Sequence, residues 1–190
     1  MRRAFLLLVC SVAISLPAFG QELSTTRKVD NDFVQQHFGN QFTLVKEVGV
    51  AYGDLYGDGG EDVVIAARCK NPMVDQAEHN YTVIDPYYDF FGYGDPKLTT
   101  TFSAGDPALR GLVVLIIHTG GKDAPHSSTP KEKYVIVNLP YKTISVKKMH
   151  MRKKNIEAVY IEEAGELGES SAVFFDGKKF RYAPMGGDMQ

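Results

Sequence analysis

Residues 54–67 read Asp54-Leu55-Tyr56-Gly57-Asp58-Gly59-Gly60-Glu61-Asp62-Val63-Val64-Ile65-Ala66-Ala67. Three aspartates fall at every fourth position of a glycine-broken segment that leads directly into an apolar run. Such a run, rich in β-branched residues, is typical of a β-strand, whereas Gly and Asp are typical of tight turns. The stretch therefore predicts a loop that turns the chain into a buried strand.

Most of the chain repeats this alternation of short apolar runs with Gly, Pro, Asn or Asp, which is typical of β-sheets. We predict strands at 43–52, 62–69, 111–118, 132–139, 143–150, 156–163, 171–176 and 179–183. Residues 112–117 are apolar at every position. This pattern favours a central strand that is covered on both faces.

One short helix is predicted before the sheet, at residues 31–39. Asp30 or Asn31 is suited to cap its N-terminus, and Gly39 is suited to end it. Its apolar side chains share one face, so the helix needs a sheet to pack on. The predicted fold class is therefore α+β: mostly an antiparallel β-sheet meander with one short N-terminal helix.

A basic hairpin is indicated in the second half of the chain. If the chain reverses at 153–155, Lys147 and Lys148 lie opposite Glu162 and Glu163 on the neighbouring strand. Opposite charges across paired strands are mildly stabilising, so we interpret the basic residues as a solvated strand face. The alternative is an anion-binding patch.

The first twenty residues have the parts of a secretory signal peptide. Two arginines near the start precede an apolar run over 4–16, and Ala18-Phe19-Gly20 supplies small residues for cleavage. We expect residues 1–20 to be removed and 21–190 to form a single globular domain, secreted into the periplasm. No later stretch reaches the roughly 18 apolar residues of a membrane span.

Charge and cysteine content limit the possible partners. The chain has 21 basic and 23 acidic residues. Two of the basic residues lie in the predicted signal peptide, so the mature protein is more acidic, which argues against nucleic acid as a partner. Cys10 also lies there, which leaves Cys69 alone. We predict that Cys69 is a small buried side chain, and an intermolecular disulfide or a reactive thiol is the alternative.

The three aspartates of the 54–62 loop suggest a calcium site. Calcium takes about six to eight oxygen ligands, and a glycine-rich loop is able to curl around it. Asp54, Asp58 and Asp62 are the predicted side-chain ligands, and backbone carbonyls of Tyr56 or Gly60 fill further positions. We expect this ion to be structural. The alternative is a tight acidic turn in which the aspartates accept hydrogen bonds from backbone amides.

Residues 50–65 also resemble the calcium loop of FG-GAP or VCBS-type repeats. In that family a strand, an aspartate-rich loop and a second strand form a hairpin, and the loop binds calcium. The resemblance implies ligands at Asp54, Asp58 and Asp62, but this chain has Tyr56 where the family usually has Asn or Asp. Because the pattern occurs once, it implies neither a propeller nor an adhesion role. Small secreted bacterial proteins with a single such hairpin are the nearer comparison.

A second candidate site lies within residues 70–108, which we predict to be a long loop insertion. Its segment 81–96 combines aromatic rings with carboxylates. Exposed rings beside acids are able to bind a sugar or a peptide, whereas rings folded against a sheet would fill the core. The predicted ligand-binding residues are Tyr87, Tyr88, Asp89, Phe90, Phe91 and Tyr93.

No motif of a known catalytic type is present in the sequence. The histidines lack the spacing of a zinc site, and His118, near Asp123, is interpreted as a strand-end residue rather than half of a His–Asp pair. We therefore expect a secreted, non-enzymatic binding or accessory protein with a structural calcium loop. Its partner would be a protein, a glycan or an envelope component. The alternative is a secreted hydrolase that uses Asp85, Asp89 or Asp95 for acid–base catalysis.

Overall fold

A computed structural model of the chain describes residues 28–93, 106–121, 129–151, 154–164 and 169–185. The predicted signal peptide lies outside these residues, as do Asp95 and Asp123. The helices are α1 (Asn31–Phe38), α2 (Gln76–His79) and α3 (Pro86–Phe91). Sheet A contains β1 (Phe42–Leu44), β2 (Val50–Gly53), β3 (Asp62–Cys69), β4 (Thr82–Ile84), β5 (Leu112–His118) and β6 (Glu132–Ile136). Sheet B contains β7 (Tyr141–Met151), β8 (Lys154–Glu163), β9 (Ser170–Phe175) and β10 (Phe180–Pro184).

Helix α1 forms where the sequence predicts it. The Asp30 side chain caps its N-terminus by accepting a hydrogen bond from the backbone N–H of Phe33, 3.1 Å away. Gly39 ends the helix with a φ of 95°. Val34 and Phe38 are fully buried, so the helix is fixed by its apolar face. None of the helices in the described ranges is long and apolar enough to cross a membrane.

Sheet A is ordered β1-β3-β5-β6-β4, and β2 also pairs with β3. All seven residues of β5 are buried, which confirms the prediction of a strand covered on both faces. β3 and β5 alternate their side chains between two hydrophobic clusters. One cluster lies between sheet A and helix α1, and the other lies between sheets A and B. The protein therefore has three layers: α1, sheet A and sheet B.

The predicted strand at 43–52 is two short strands. β1 and β2 pair with opposite ends of β3, and a turn over 45–49 separates them. The N–H groups of Val48 and Gly49 both bond to the carbonyl of Val45 in this turn. Gly49 has a φ of 82°, a conformation that glycine adopts without steric cost.

The fold is rich in antiparallel sheet, as predicted, but it is not a single meander. Only sheet B pairs its four strands in chain order; in sheet A, β4 is parallel to β6. The predicted loop at 70–108 also contains regular structure, namely α2, β4 and α3. The chain therefore has three short helices in its described part rather than one. The expected register of the basic hairpin is wrong as well: Met151 lies opposite Lys154, so Lys147 lies opposite Ala158 and Lys148 lies opposite Glu157.

Candidate functional site

The 54–62 loop connects β2 to β3 and is closed by its own backbone. Both carboxylate oxygens of Asp54 accept hydrogen bonds, from the N–H of Asp58 at 3.0 Å and the N–H of Gly59 at 2.9 Å. Asp58 accepts a hydrogen bond from the N–H of Gly60, also at 3.0 Å. The Asp58 bond has the spacing of an Asx turn, whereas the Asp54 bonds reach across the loop to residues four and five positions on, so the two acids together order the loop.

Asp62 is fully buried at the start of β3 and forms a pair with His118 at the end of β5. The Asp62 Oδ1 and His118 Nδ1 atoms are 2.7 Å apart, and Asp62 Oδ2 accepts a hydrogen bond from the N–H of Leu55. Burial raises the pKa of Asp62, and the hydrogen bond with His118 opposes this rise. The pair therefore attaches the loop to the centre of sheet A.

His118 is in turn enclosed by the loop. The ring of Tyr56 stacks on it with a centroid distance of 3.9 Å and an interplanar angle of 18°. Asp58 Oδ2 lies 3.6 Å from Nε2, the other ring nitrogen of His118. His118 is only 1 % exposed, so no substrate reaches this imidazole in the present conformation. These contacts hold the 54–62 loop against β5, and they do not form an open acid–base site.

Two tyrosines and a glutamate connect the 54–62 loop to β6. The hydroxyls of Tyr56 and Tyr134 both donate to Oε2 of Glu132, each at 2.8 Å. These two hydrogen bonds lower the pKa of Glu132, because they stabilise its charged form. Burial raises the pKa of Tyr56, so its hydroxyl stays protonated and available as a donor. The loop is thus fastened to two neighbouring strands, β5 and β6.

Close backbone packing brings the 54–62 loop against the residues that follow β5. A Cβ atom on Gly60 would collide with the carbonyl oxygen of Gly120. Thr119 donates a hydrogen bond to the carbonyl of Glu61 at 2.9 Å. A glycine is required at position 60 for this reason, independently of any metal.

The predicted calcium ligands all contact groups of the protein. Among the described residues, no group of three or more His, Cys, Asp or Glu side chains is arranged to hold a metal ion. Asp54 faces backbone amides, Asp62 faces His118, and the Tyr56 side chain stacks on the imidazole instead of turning to solvent. These contacts resemble the acidic-turn alternative. Calcium binding by the loop stays a prediction from the sequence.

The Asp62–His118 pair was not predicted from the sequence, in which Asp123 was the candidate partner of His118. Asp123 lies outside the described residues. A signal for the observed pair is present in the sequence, because both residues stand at the ends of the two most apolar runs. In the antiparallel register, Val63 lies opposite Ile117, which brings the flanking Asp62 and His118 together.

The aromatic segment forms helix α3, which packs along the edge strand β10. The rings of Tyr87, Phe90 and Phe91 all approach Tyr182, with centroid distances of 5.1, 5.4 and 6.3 Å respectively. The other sides of most predicted ligand-binding rings face solvent. The exposed fractions are 36 % for Tyr88, 50 % for Phe90, 49 % for Phe91 and 75 % for Tyr93. Tyr87 is half-buried beneath them.

The carboxylates of this segment have structural partners. Asp85 caps α3 by accepting from the N–H of Tyr88 at 3.0 Å, and it also accepts from the side chain of Asn138. Burial raises the pKa of Asp85. Asp89 pairs with Lys179 at 2.8 Å and with Arg181 at 3.4 Å. Asp85 therefore caps α3 and joins it to Asn138, and Asp89 attaches the helix to the β9–β10 hairpin of sheet B.

Cys69 lies at the end of β3 and is a free, buried thiol, as predicted. Burial raises its pKa to about 12, so the thiolate is scarce at neutral pH. Cys69 is therefore not a reactive thiol in the described conformation.

Comparisons of the chain with protein-family models, with curated proteins and with solved structures found no match.

Proposed function

We propose that this protein is a non-enzymatic binding protein that recognises a protein partner through the α3 aromatic surface, defined as Tyr88, Phe90, Phe91 and Tyr93. The observation that carries the proposal is the exposure of these four neighbouring rings. Exposed large apolar side chains that are contiguous mark interaction sites, whereas scattered ones are ordinary. The rigid support beneath them favours binding, because Tyr182 and the Asp85 cap hold α3 in place.

Ring geometry favours a protein over a glycan as the partner. The rings of Phe90 and Phe91 meet at 88°, as do those of Tyr88 and Tyr93. Adjacent rings therefore stand on edge to one another and form an uneven surface instead of a flat stacking platform. Uneven aromatic surfaces suit apolar side chains that insert between the rings. The charged group Asp89, Lys179 and Arg181 at the margin resembles the polar rim of a protein interface.

In this proposal the 54–62 loop has a structural role. Its buried Asp62–His118 pair and the shared Glu132 stabilise the loop against sheet A, which supports the three-layer fold. Calcium as the loop's cofactor and secretion into the periplasm belong to the same proposal, and they are supported by the sequence pattern alone. No contact in the described part of the chain favours the hydrolase alternative, because Asp85 and Asp89 are both engaged in packing α3.

Site-specific photocrosslinking in the producing cells tests the proposed surface. A benzophenone amino acid at position 93 is expected to give a discrete protein adduct, whereas the same group at position 52 is expected to give none. Tyr52 is a suitable control because it is also exposed, by 41 %, but lies on β2. Adding Phe90→Ser to the position 93 protein should abolish the adduct and lower Tm only slightly, since Phe90 is half exposed and only its other side contacts Tyr182.

The proposal is contradicted if positions 52 and 93 give the same adducts, or if neither gives one. An adduct that collapses on glycosidase treatment would identify a glycan instead of a protein surface. An adduct of twice the chain mass would identify a second copy of this chain as the partner.

A further inference from the structure

One asparagine of the chain stands in the acceptor pattern for N-linked glycosylation. The pattern is Asn, then any residue except Pro, then Ser or Thr, and it marks a surface segment of a secreted protein. The chain contains six asparagines, and only Asn80 has a hydroxyl residue two positions later, at Thr82. The residue between them is Tyr81, so the pattern is complete.

The structure places this segment on the surface, in the turn between α2 and β4. Asn80 directly follows the last residue of α2, and Thr82 is the first residue of β4. Both residues are exposed. In the described part of the chain, neither side chain forms a hydrogen bond with another residue. The amide nitrogen of Asn80, Nδ2, is therefore free to carry a substituent.

Tyr81 holds the two flanking side chains away from the core. Tyr81 is only 4 % exposed, and its hydroxyl donates a hydrogen bond to the carbonyl of Pro72 at 2.7 Å. Its ring contacts Phe38 and Phe42 in the cluster between sheet A and α1. A glycan is bulky and hydrated, so its carrier has to lie in solvent. A buried residue at the middle position of the pattern, with exposed neighbours on both sides, meets this requirement.

Two exposed apolar side chains belong to the same surface turn. Met73 is 38 % exposed and Val74 is 59 % exposed. They directly follow Pro72, whose carbonyl is bonded to Tyr81, so they lie on the same side of the helix layer as Asn80. Neighbouring exposed apolar side chains favour association with other proteins, whereas a bulky glycan is solubilising. A glycan on Asn80 would therefore shield this part of the surface.

We propose that Asn80 carries an N-linked glycan in the exported protein. In the transfer, Asn80 Nδ2 forms a bond to the anomeric carbon of the first sugar, and the bond from that carbon to the pyrophosphate of a lipid-linked oligosaccharide breaks. The pyrophosphate leaves with the bonding electrons, and Nδ2 loses one proton. The proposal rests on the secretion that belongs to the proposed function. It does not involve the α3 aromatic surface, because β4 separates Asn80 from α3.

Mass spectrometry of the protein purified from outside the cytoplasm of the producing cells tests the proposal. Trypsin releases Asn80 in the peptide from Asn71 to Lys97. We expect carbohydrate on Asn80 and none on Asn71, which is a control in the same peptide because Met73 stands two positions after it. Thr82→Ala should give the bare peptide, whereas Thr82→Ser should keep the glycan because serine also supplies the hydroxyl.

Asn80→Asp removes the amide nitrogen with little change to the fold. Asn80 has a left-handed backbone, with φ 50° and ψ 58°, and aspartate is among the few residues that share asparagine's tolerance of this conformation. The variant should therefore give the bare peptide and retain the circular dichroism spectrum of the wild type. Photocrosslinking from position 93 should be unchanged in this variant, which separates the glycan from the function proposed for α3.

The outcomes separate the glycan from secretion. An exported chain that has lost residues 1–20 but has a bare Asn80 overturns the glycan and leaves secretion intact. A chain that stays in the cytoplasm with residues 1–20 attached overturns both. Carbohydrate that persists in Asn80→Asp and in Thr82→Ala would place the modification at another residue and would overturn this site.

Discussion

Asp62 is the residue with the largest expected contribution to loop stability, because it is fully buried and both of its oxygens have partners. Asp62→Ala leaves the N–H of Leu55 and the imidazole of His118 without their acceptor. Breaking a buried pair in this way costs about 3–5 kcal/mol of unfolding free energy. Urea denaturation measures the change. Glu61→Ala, at the exposed neighbouring position, should change stability by less than about 0.5 kcal/mol. A loss below about 1 kcal/mol for Asp62→Ala would mean that the pair is dispensable.

Calcium binding is tested at Asp58, the most exposed of the three predicted ligands. A calcium-loaded loop would have to turn the oxygens of Asp54 and Asp58 from backbone amides to the ion. If it does so, millimolar calcium raises Tm, because a ligand bound only by the native state stabilises that state. Asp58→Ala should cancel the gain, and chelator should reverse it. Equal melting curves with calcium and with chelator would contradict calcium binding, and the loop would then be ordered by its hydrogen bonds to backbone amides alone.

Glu132 gives the loop a dependence on acid. The pKa of Glu132 is lower in the folded state than in the unfolded state, where it is about 4.3. Its contribution to the free energy of unfolding is therefore complete above the unfolded-state pKa and is lost as the pH falls through the folded-state pKa. Glu132→Gln should flatten the decline in stability below pH 5, by less than about 1 kcal/mol because Glu132 is exposed. Glu47→Gln, also exposed, serves as the control. Asp62 has a raised pKa and acts in the opposite direction, so a steeper decline in Glu132→Gln would contradict this assignment.

Helix α3 shows how a local signal was present but not used. The sequence Asp85-Pro86 has an N-cap residue followed by a proline at the first helical position, which is typical of a helix start. The composition of residues 70–108 led instead to the prediction of a loop. β4 was missed for a different reason: it has only three residues, and its parallel pairing with β6 depends on chain more than 40 residues away. Helix α1 and strand β5 were predictable because their caps and their apolar runs are local.

The N-cap of α3 can be tested by a matched pair of variants. Asp85→Ala removes the acceptor for the N–H of Tyr88 and should cost about 1 kcal/mol of unfolding free energy. Asp85→Asn keeps a capping oxygen and removes a buried charge, but it replaces the oxygen that accepts from Asn138 by a donor, so it should cost less than Asp85→Ala. Chemical denaturation compares the two. Equal losses in both variants would show that the charge, and not the cap, holds the helix.

At the scale of the whole molecule, the sequence predicted the mostly antiparallel sheet and most strand positions, but not the layers. Apolar runs locate strands because burial requires them, whereas strand order depends on contacts between distant segments. The pairing of β3 with β5 joins residues about 50 positions apart, and it also creates the Asp62–His118 pair. The same limit applies to β8, which pairs with β9 only from Val159 to Glu162, since nothing local in its sequence shows where that pairing stops.

Cys69 reports on the cooperativity of the whole fold. Its thiol is 5 % exposed in β3, and burial raises its pKa to about 12, so reaction with a thiol reagent at pH 8 requires opening of the structure. In a chain without residues 1–20 it is the sole cysteine, and labelling should follow global unfolding, with the same dependence on urea as the equilibrium transition. The alternative is local opening of the edge strand β1, which would expose Cys69 because Phe42 of β1 lies directly opposite it. Labelling with a much weaker urea dependence would show that β1 separates from sheet A while the remaining layers stay folded.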